Sequence, residues 1–321
     1  MNDEQRADRG RQAGPAQMGQ HPAACLVIAH ISDTHFLGGG RELYGRVDTD
    51  IGVWAAMRQL ERSGIRPDAF VFTGDIADRG EPDAYLRVRD IVEPVAERLG
   101  AELVWVMGNH DARAAFRSEL LRETGRQDVG APVDRIVEVG GLRIVALDTS
   151  VPGYHHGAIE RSQLEWLAAV LATPAPLGTV LALHHPPIPT PLAAMTVLEL
   201  EHQHELAAVV AGSDVRAILG GHLHYATTSL FAGVPVSVAA ATCYTMDLSA
   251  PSRELVGVDG GQSINLVHVY EDRIVHSVVP LGEAPVATRF DADFLARLEA
   301  MTPELRRESF SRQVSSGDPG A

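Results

Sequence analysis

Five short apolar runs punctuate the chain, and each gives way at once to a polar group. Residues 26–31, 69–73, 103–107, 179–183 and 215–219 are aliphatic and aromatic blocks with the length and composition of buried strands. Helical spacing appears between them. Val53, Met57 and Leu60 recur at i, i+4 and i+7, with Asp48 or Thr49 as the cap and Gly64 as the stop. Val88, Val92, Val95 and Leu99 mark a second helical face, in which Pro94 predicts a kink or an early break. Leu164, Leu167, Ala168 and Leu171 follow Ser162-Gln163-Leu164-Glu165, which reads as a capping box. Residues 199–211 also look helical. The segments 135–139 and 142–147 flank Gly140-Gly141, a two-residue hairpin turn that needs positive φ. Short segments around 228–231, 235–239, 264–270 and 273–279 are expected to be antiparallel strands.

The two ends lack this pattern. Residues 1–24 are polar and aperiodic, as expected of a flexible arm. The folded, catalytic domain is expected over 25–282. A C-terminal extension, 283–321, carries Phe294, Leu295, Leu298 and Met301 at helical spacing and then a polar end at 312–321.

Composition removes several function classes. With 45% hydrophobic and 21% charged residues in 321, most of the chain must fold. The balance of 27 Lys and Arg against 42 Asp and Glu, a net charge of −15, repels a polyphosphate backbone, so long nucleic acid is not an expected partner. A small anion stays admissible, because bound cations reverse the local sign of a carboxylate-rich site. Cys25 and Cys243 are too few for a disulfide framework. No segment has the length of a membrane span, and the first 24 residues have no apolar core of a signal peptide, so a cytoplasmic protein is expected.

The polar groups behind the five apolar runs carry the chemistry. They are Ser32-Asp33-Thr34-His35, Gly74-Asp75, Gly108-Asn109-His110-Asp111, His184-His185-Pro186-Pro187 and Gly220-Gly221-His222-Leu223-His224. Ligand sites in α/β folds assemble at the carboxyl ends of strands. Five ends on one sheet edge would gather Asp33, His35, Asp75, Asn109, His184, His222 and His224. Carboxylate, amide and imidazole donors without thiolate suit Mn, Fe, Zn, Co or Ni. Seven ligands exceed one tetrahedral site but fit two ions that share a carboxylate, with Asp75 as the bridge.

These five blocks, in this order, resemble the calcineurin-like metallophosphoesterase family. Ile31 to His35, Leu43-Tyr44-Gly45, Ala101 to Asp111, Ala182 to Pro189 and Val234 to Tyr244 are further similar to its class III cyclic nucleotide phosphodiesterases of the mycobacterial kind. The likeness runs from about residue 26 to 282. It implies an α/β fold of the α+β type, two facing mixed β-sheets flanked by helices. It also implies two divalent or trivalent ions, an iron–manganese pair with Zn, Co or Ni as alternatives. Asp33, His35, Asp75 and His224 would hold the first ion, and Asp75, Asn109, His184 and His222 the second. His110 would be the catalytic histidine beside the scissile phosphate, Asn109 would also meet substrate, and Asp78 would support the catalytic group.

The implied reaction is hydrolysis of 3′,5′-cyclic nucleotides such as cAMP to 5′-monophosphates, by in-line attack of a metal-bridging hydroxide. Substrates extending to 2′,3′-cyclic nucleotides and small aryl phosphodiesters, and a homodimer, belong to the same expectation. Glycerophosphodiesters or nucleoside diphosphate conjugates are the alternative substrates. A noncatalytic scaffold is disfavoured by the seven filled ligand positions. Gly74 to Gly80 also looks like the Ser/Thr protein phosphatase signature, but Asp111 stands where that class has Glu. His155-His156 reads as an exposed loop pair with a substrate-facing role left open. His202 and His204 read as surface residues.

Overall fold

The computed structural model describes residues 17–125 and 128–313. Residues 1–16 of the expected arm and 314–321 of the polar end lie outside the described residues. The chain divides into one unit over Ala24–Gly282 and another formed by the segments on either side of it.

The larger unit contains two mixed sheets. In the first, β1 (Leu26–Ile31), β2 (Ala69–Thr73) and β3 (Glu102–Val106) run parallel, while β12 (Ser263–Val269) joins β1 antiparallel and β13 (Ile274–Pro280) pairs with β12. The second has the order β4-β5-β6-β7-β9-β8, with β4 (Arg135–Val139), β5 (Leu142–Leu147), β6 (Thr179–Leu183), β7 (Val215–Gly220), β8 (Thr227–Phe231) and β9 (Val234–Val238). Between β9 and β12 lies a two-stranded ribbon, β10 (Thr245–Met246) with β11 (Gly257–Val258).

Strand periodicity of two explains the layering. Ile28, Val71 and Val104 point inward and meet Ile144, Val180, Ala182, Ala217 and Leu219 of the other sheet. Their neighbours Ala29, Phe70 and Phe72 point outward onto Val53, Met57, Val88 and Val92, which belong to α1 (Thr49–Ser63) and α2 (Pro82–Leu99). On the second sheet Val145, Leu181 and Ile218 pack outward against Leu164, Leu167 and Leu206, from α3 (Arg161–Leu171) and α4 (Gln203–Val210). The central strands are therefore covered on both faces, which is why they read as unbroken apolar runs.

Several local expectations shift. The second helix runs through Pro94 without a break. Pro94 and Asp90, whose carbonyl loses its partner, are both on the exposed face, where solvent can satisfy such a group, and the buried Val92 and Val95 hold the helix in place. The capping box lies two residues earlier than the Ser162 reading, between Glu160 and Gln163, because Gln163 is also fixed by Asp134 and the Asp148 carbonyl. Helix α4 covers only part of 199–211, since Gly157 bridges Leu200 and keeps that stretch extended. Finally, β9 is antiparallel to β8 but parallel to β7. The Gly140-Gly141 hairpin is as expected, with φ of 53° and 91°.

In the second unit α5 (Ala292–Ala300) is capped by Asp291, which accepts from Phe294 N at 2.8 Å. The rings of Phe290, Phe294 and Phe310 cluster at 4.9–5.7 Å between centroids. No helix among the described residues is long and apolar enough to cross a membrane.

Candidate metal centre

The five polar groups do meet, but on two sheets rather than one. Strands β1, β2 and β3 deliver Asp33, His35, Asp75, Asn109 and His110 from the first sheet. Strands β6 and β7 deliver His184, His222 and His224 from the second. A single-sheet expectation fails because periodicity shows that a strand is buried and not which sheet it joins. Close approach depends on glycine. A Cβ on Gly108 would lie 2.1 Å from Asp75 N, and one on Gly221 would lie 1.9 Å from Ser32 Oγ.

Within the cluster, His35 Nε2 is 3.2 Å from His224 Nε2 and 3.4 Å from Asp75 Oδ2. His224 Nε2 is 3.4 Å from Asp33 Oδ1. On the other side, His184 Nε2 is 3.3 Å from the same Asp75 Oδ2 and 3.0 Å from Asn109 Oδ1. One oxygen of Asp75 thus reaches both groups. Its other oxygen accepts the His110 backbone N–H at 2.8 Å. Metal bonds of about 2.1 Å place neighbouring donors about 3.0–3.4 Å apart at octahedral or tetrahedral angles, the spacing seen here.

The imidazoles are prepared for ligation from behind. His184 Nδ1 donates to Thr73 O at 2.7 Å, His224 Nδ1 to Tyr244 O at 3.1 Å, His222 Nε2 to Leu198 O at 3.1 Å and His35 Nδ1 to Asp78 Oδ1 at 3.0 Å. Each outer bond fixes a tautomer and leaves the other nitrogen with a lone pair, the usual arrangement of a metal-ligating histidine. The donor set therefore fits a pair of first-row cations.

Backbone strain marks the same residues. Asp33, His35, Asp75, His222 and His224 all have left-handed φ, between 47° and 68°. Each costs about 1–3 kcal/mol and persists only where the surroundings impose it, as they do at functional sites. Electrostatics couples the two carboxylates to the imidazoles. Burial opposes ionisation of Asp33, but His224 outweighs it and holds the carboxyl at about 2. Burial also opposes the charge on His184, yet Asp75 and Asp33 prevail and lift it to about 9. Burial, reinforced by the neighbouring His184 cation, holds His222 down at about 3. Protons on His184 and His224 thus balance the carboxylates where cations would replace them.

Around the cluster, Asp78 meets it through His35 and lies 3.7 Å from His110 Nδ1. The half-buried His110 donates from Nδ1 to Asp78 O at 2.8 Å, with its ring 4.8 Å from that of His35. Asp111 ties the loops together, accepting from the N–H groups of Ile76, Ala77 and Gly108 and from the Tyr85 hydroxyl. Both ring nitrogens of His185 are taken, by Thr149 Oγ1 at 2.8 Å and His155 O at 3.1 Å. His202 and His204 are exposed.

One neighbour was left open by the sequence. His155 Nδ1 accepts from Asn109 Nδ2 at 2.9 Å, and its ring stands 4.8 Å from that of His110. Its place after Leu147-Asp148-Thr149 was the available signal. Tyr244 was missed as well, and its ring lies 4.5 Å from that of His224.

Residues 26–226 match the profile of the calcineurin-like phosphoesterases. The chain is 57% identical to a cAMP/cGMP dual specificity phosphodiesterase of Mycobacterium tuberculosis, over 87% of this chain and 86% of that one. It is 51% identical to a probable cyclic nucleotide phosphodiesterase of Rhodococcus erythropolis, over 87% and 91% of the two chains. Among solved structures, a dimetal phosphatase from Danio rerio shares the fold at 17% identity, with a TM-score of 0.57 over 79% of this chain and 96% of that one. With its two mixed sheets flanked by helices and its His and Asp clusters at the strand ends, the chain belongs to the calcineurin-like phosphoesterase family.

Proposed function

We propose that the protein hydrolyses 3′,5′-cyclic nucleotides, cAMP among them, to 5′-monophosphates at a two-metal centre. The observation that carries this reading is the shared Asp75 oxygen, 3.3–3.4 Å from an imidazole on each side. The names of the two relatives support the substrate class. Asp33, His35, Asp75 and His224 would hold one ion, and Asp75, Asn109, His184 and His222 the other. An iron–manganese pair is proposed, with Zn, Co or Ni as the alternatives that elemental analysis would distinguish. Two such cations, when bound, supply Lewis acidity toward phosphoryl oxygens and a lowered pKa for water.

Two residues of the chain act on the diester itself. Asn109 meets a phosphoryl oxygen, its amide oriented by the hydrogen bond to His155. His110 is anchored at both ends, by its backbone N–H on Asp75 and by Nδ1 on the Asp78 carbonyl, which leaves Nε2 to face substrate. Water adds to phosphorus as the bond to O3′ breaks, His110 Nε2 passes a proton to that departing oxygen, and the proton released by the water reprotonates the histidine for the next turnover. Asp78 acts only through His35 and His110, as a positioning residue.

The test is hydrolysis of 3′,5′-cAMP, 2′,3′-cAMP, bis(p-nitrophenyl) phosphate and a glycerophosphodiester at equal concentration, beside elemental analysis of the same sample. A kcat/KM highest for the cyclic nucleotides is expected. Preference for the glycerophosphodiester would overturn the substrate assignment, and turnover by metal-free protein would overturn the centre. A cytoplasmic homodimer completes the proposal, to be checked by fractionation and light scattering.

A further inference from the structure

Beside His224 the chain builds an aromatic wall that the metal centre does not use. Tyr244 stands with its ring 4.5 Å from that of His224. Its far side is packed so closely against Gly257 that a Cβ there would lie 2.8 Å from ring carbons Cδ2 and Cε2. The ring is therefore held in place. Tyr44 meets it edge-on at 5.7 Å, and the two hydroxyls are 3.4 Å apart.

Tyr44 is the unusual member. It is 72% exposed and has a left-handed φ of 53°. The turn around it is closed by mutual hydrogen bonds between Leu43 and Val47, at 2.8 and 3.0 Å. A large aromatic ring kept in water on a strained backbone at a tied turn buries little surface beyond its edge contact with Tyr244. Strain of this kind points to function when it borders a site.

Tyr44 and Tyr244 also form one side of a groove of about 800 Å³, which continues past Arg46 and Met246 to Val258 and Asp259. That volume lies in the range of small-ligand sites. Its floor is coupled to the metal centre, since Met246 N donates to His224 O at 3.1 Å. A ring stacked on the wall would thus stay within one ligand's length of a phosphate held by the cluster.

We propose that Tyr44, braced edge-on by the fixed ring of Tyr244, forms a stacking platform for the nucleobase of the substrate, and so determines specificity for nucleotides over diesters without a base. The proposal rests on the cyclic nucleotide reading above. Aromatic stacking tolerates any base, so the platform selects for the presence of a base and only weakly for its identity. Arg46 and Asp259 border the groove with opposite charges, where they can meet the polar edge of the ring.

The experiment compares inhibition by 5′-AMP and by inorganic phosphate during cAMP turnover by the metal-loaded protein, with KM for cAMP measured alongside. In the unaltered protein, AMP should bind more tightly than phosphate. Tyr44→Ala should raise the AMP inhibition constant and the KM for cAMP by about tenfold, while the phosphate constant stays within twofold. Tyr44→Phe should retain the tight AMP binding. Tyr244→Leu should act in the same direction as Tyr44→Ala, but Tyr44 is the decisive position because its exposed ring can be removed without opening the core. An unchanged ratio of AMP to phosphate binding in Tyr44→Ala would overturn the platform while leaving the phosphodiesterase reading intact. An unaltered protein that turns over aryl diesters but neither hydrolyses cAMP nor prefers AMP to phosphate would overturn the nucleotide reading and the platform with it.

Discussion

The two halves of the proposed metal centre are built by different means. On the first side all three private residues, Asp33, His35 and His224, have left-handed backbones and are buried, and one of them, Asp33, is a carboxylate. On the second side only His222 is strained, and Asn109 is a neutral, half-buried donor whose orientation depends on a hydrogen bond to the exposed His155. A charged, strained and buried set should bind its ion tightly and change little. A set oriented by a neutral amide at the solvent edge should bind more weakly and be easier to adjust. The difference assigns retention to the first half and adaptability to the second.

Removing the shared oxygen would break the comparison altogether. Asp75→Ala should lose both ions, with kcat reduced by at least about 10³-fold, and two retained equivalents of metal would remove Asp75 from the bridge. His110→Ala comes next. It should keep both ions and lower kcat for cAMP by about 10²–10⁴-fold, with KM little changed. Bis(p-nitrophenyl) phosphate, whose leaving group needs less protonation, should lose less, and equal losses on both substrates would favour charge stabilisation over proton donation.

Asymmetry between the halves is sharpened by milder changes. Asn109→Ala should weaken one ion and spare the other, which titration of metal-free protein would resolve as one strong and one weakened equivalent. Loss of both equivalents would contradict the division. His155→Ala should weaken the same ion by about tenfold, the effect expected of a partner that orients a ligand, and His155→Gln should restore part of it. If His155→Ala weakens the first ion instead, the two halves are wrongly drawn.

The smallest effect concerns the protein without metal. Burial, with the His276 charge added, holds His30 down at about 3, and burial alone holds His276 at about 4. Both titrate near 6.5 when unfolded. At these two sites the unfolded chain binds more protons between those values, so their contribution to stability should rise with pH from about 3 to about 6.5 and be lost on acidification through the same window, while the buried carboxyls of Asp111 and Asp134, lifted to about 7 and about 6, act in the opposite sense. Denaturant midpoints at pH 4, 5 and 7 for the unaltered protein and for His276→Phe would check the sign: the variant should lose less stability on acidification, and an identical pH dependence in the two would contradict it.

The parts that could be read in advance share one physical cause. Strands buried on both faces leave continuous apolar runs, and the first polar residue after each run marks where the chain returns to the sheet edge. That reasoning found Asp33, Asp75, Asn109, His184 and His222 together. It could not divide them between two sheets, because inward and outward faces are equally apolar. His155 stayed open and Tyr44 escaped for the opposite reason. Both sit in exposed loops where periodicity carries no information, and their roles depend on partners 46 and 200 residues away in the chain. Pro94 misled because propensity alone does not report that the Asp90 carbonyl it leaves unpaired lies on the exposed face of the helix.

The central claim is a pair of ions sharing Asp75, and stoichiometry against activity tests it most directly. Metal-free protein would be titrated with Mn²⁺ while bound metal and cAMP turnover are followed in the same samples. Two equivalents should bind, with turnover remaining near zero through the first and rising with the second. Full turnover at one equivalent, or in protein stripped of metal, would contradict the account.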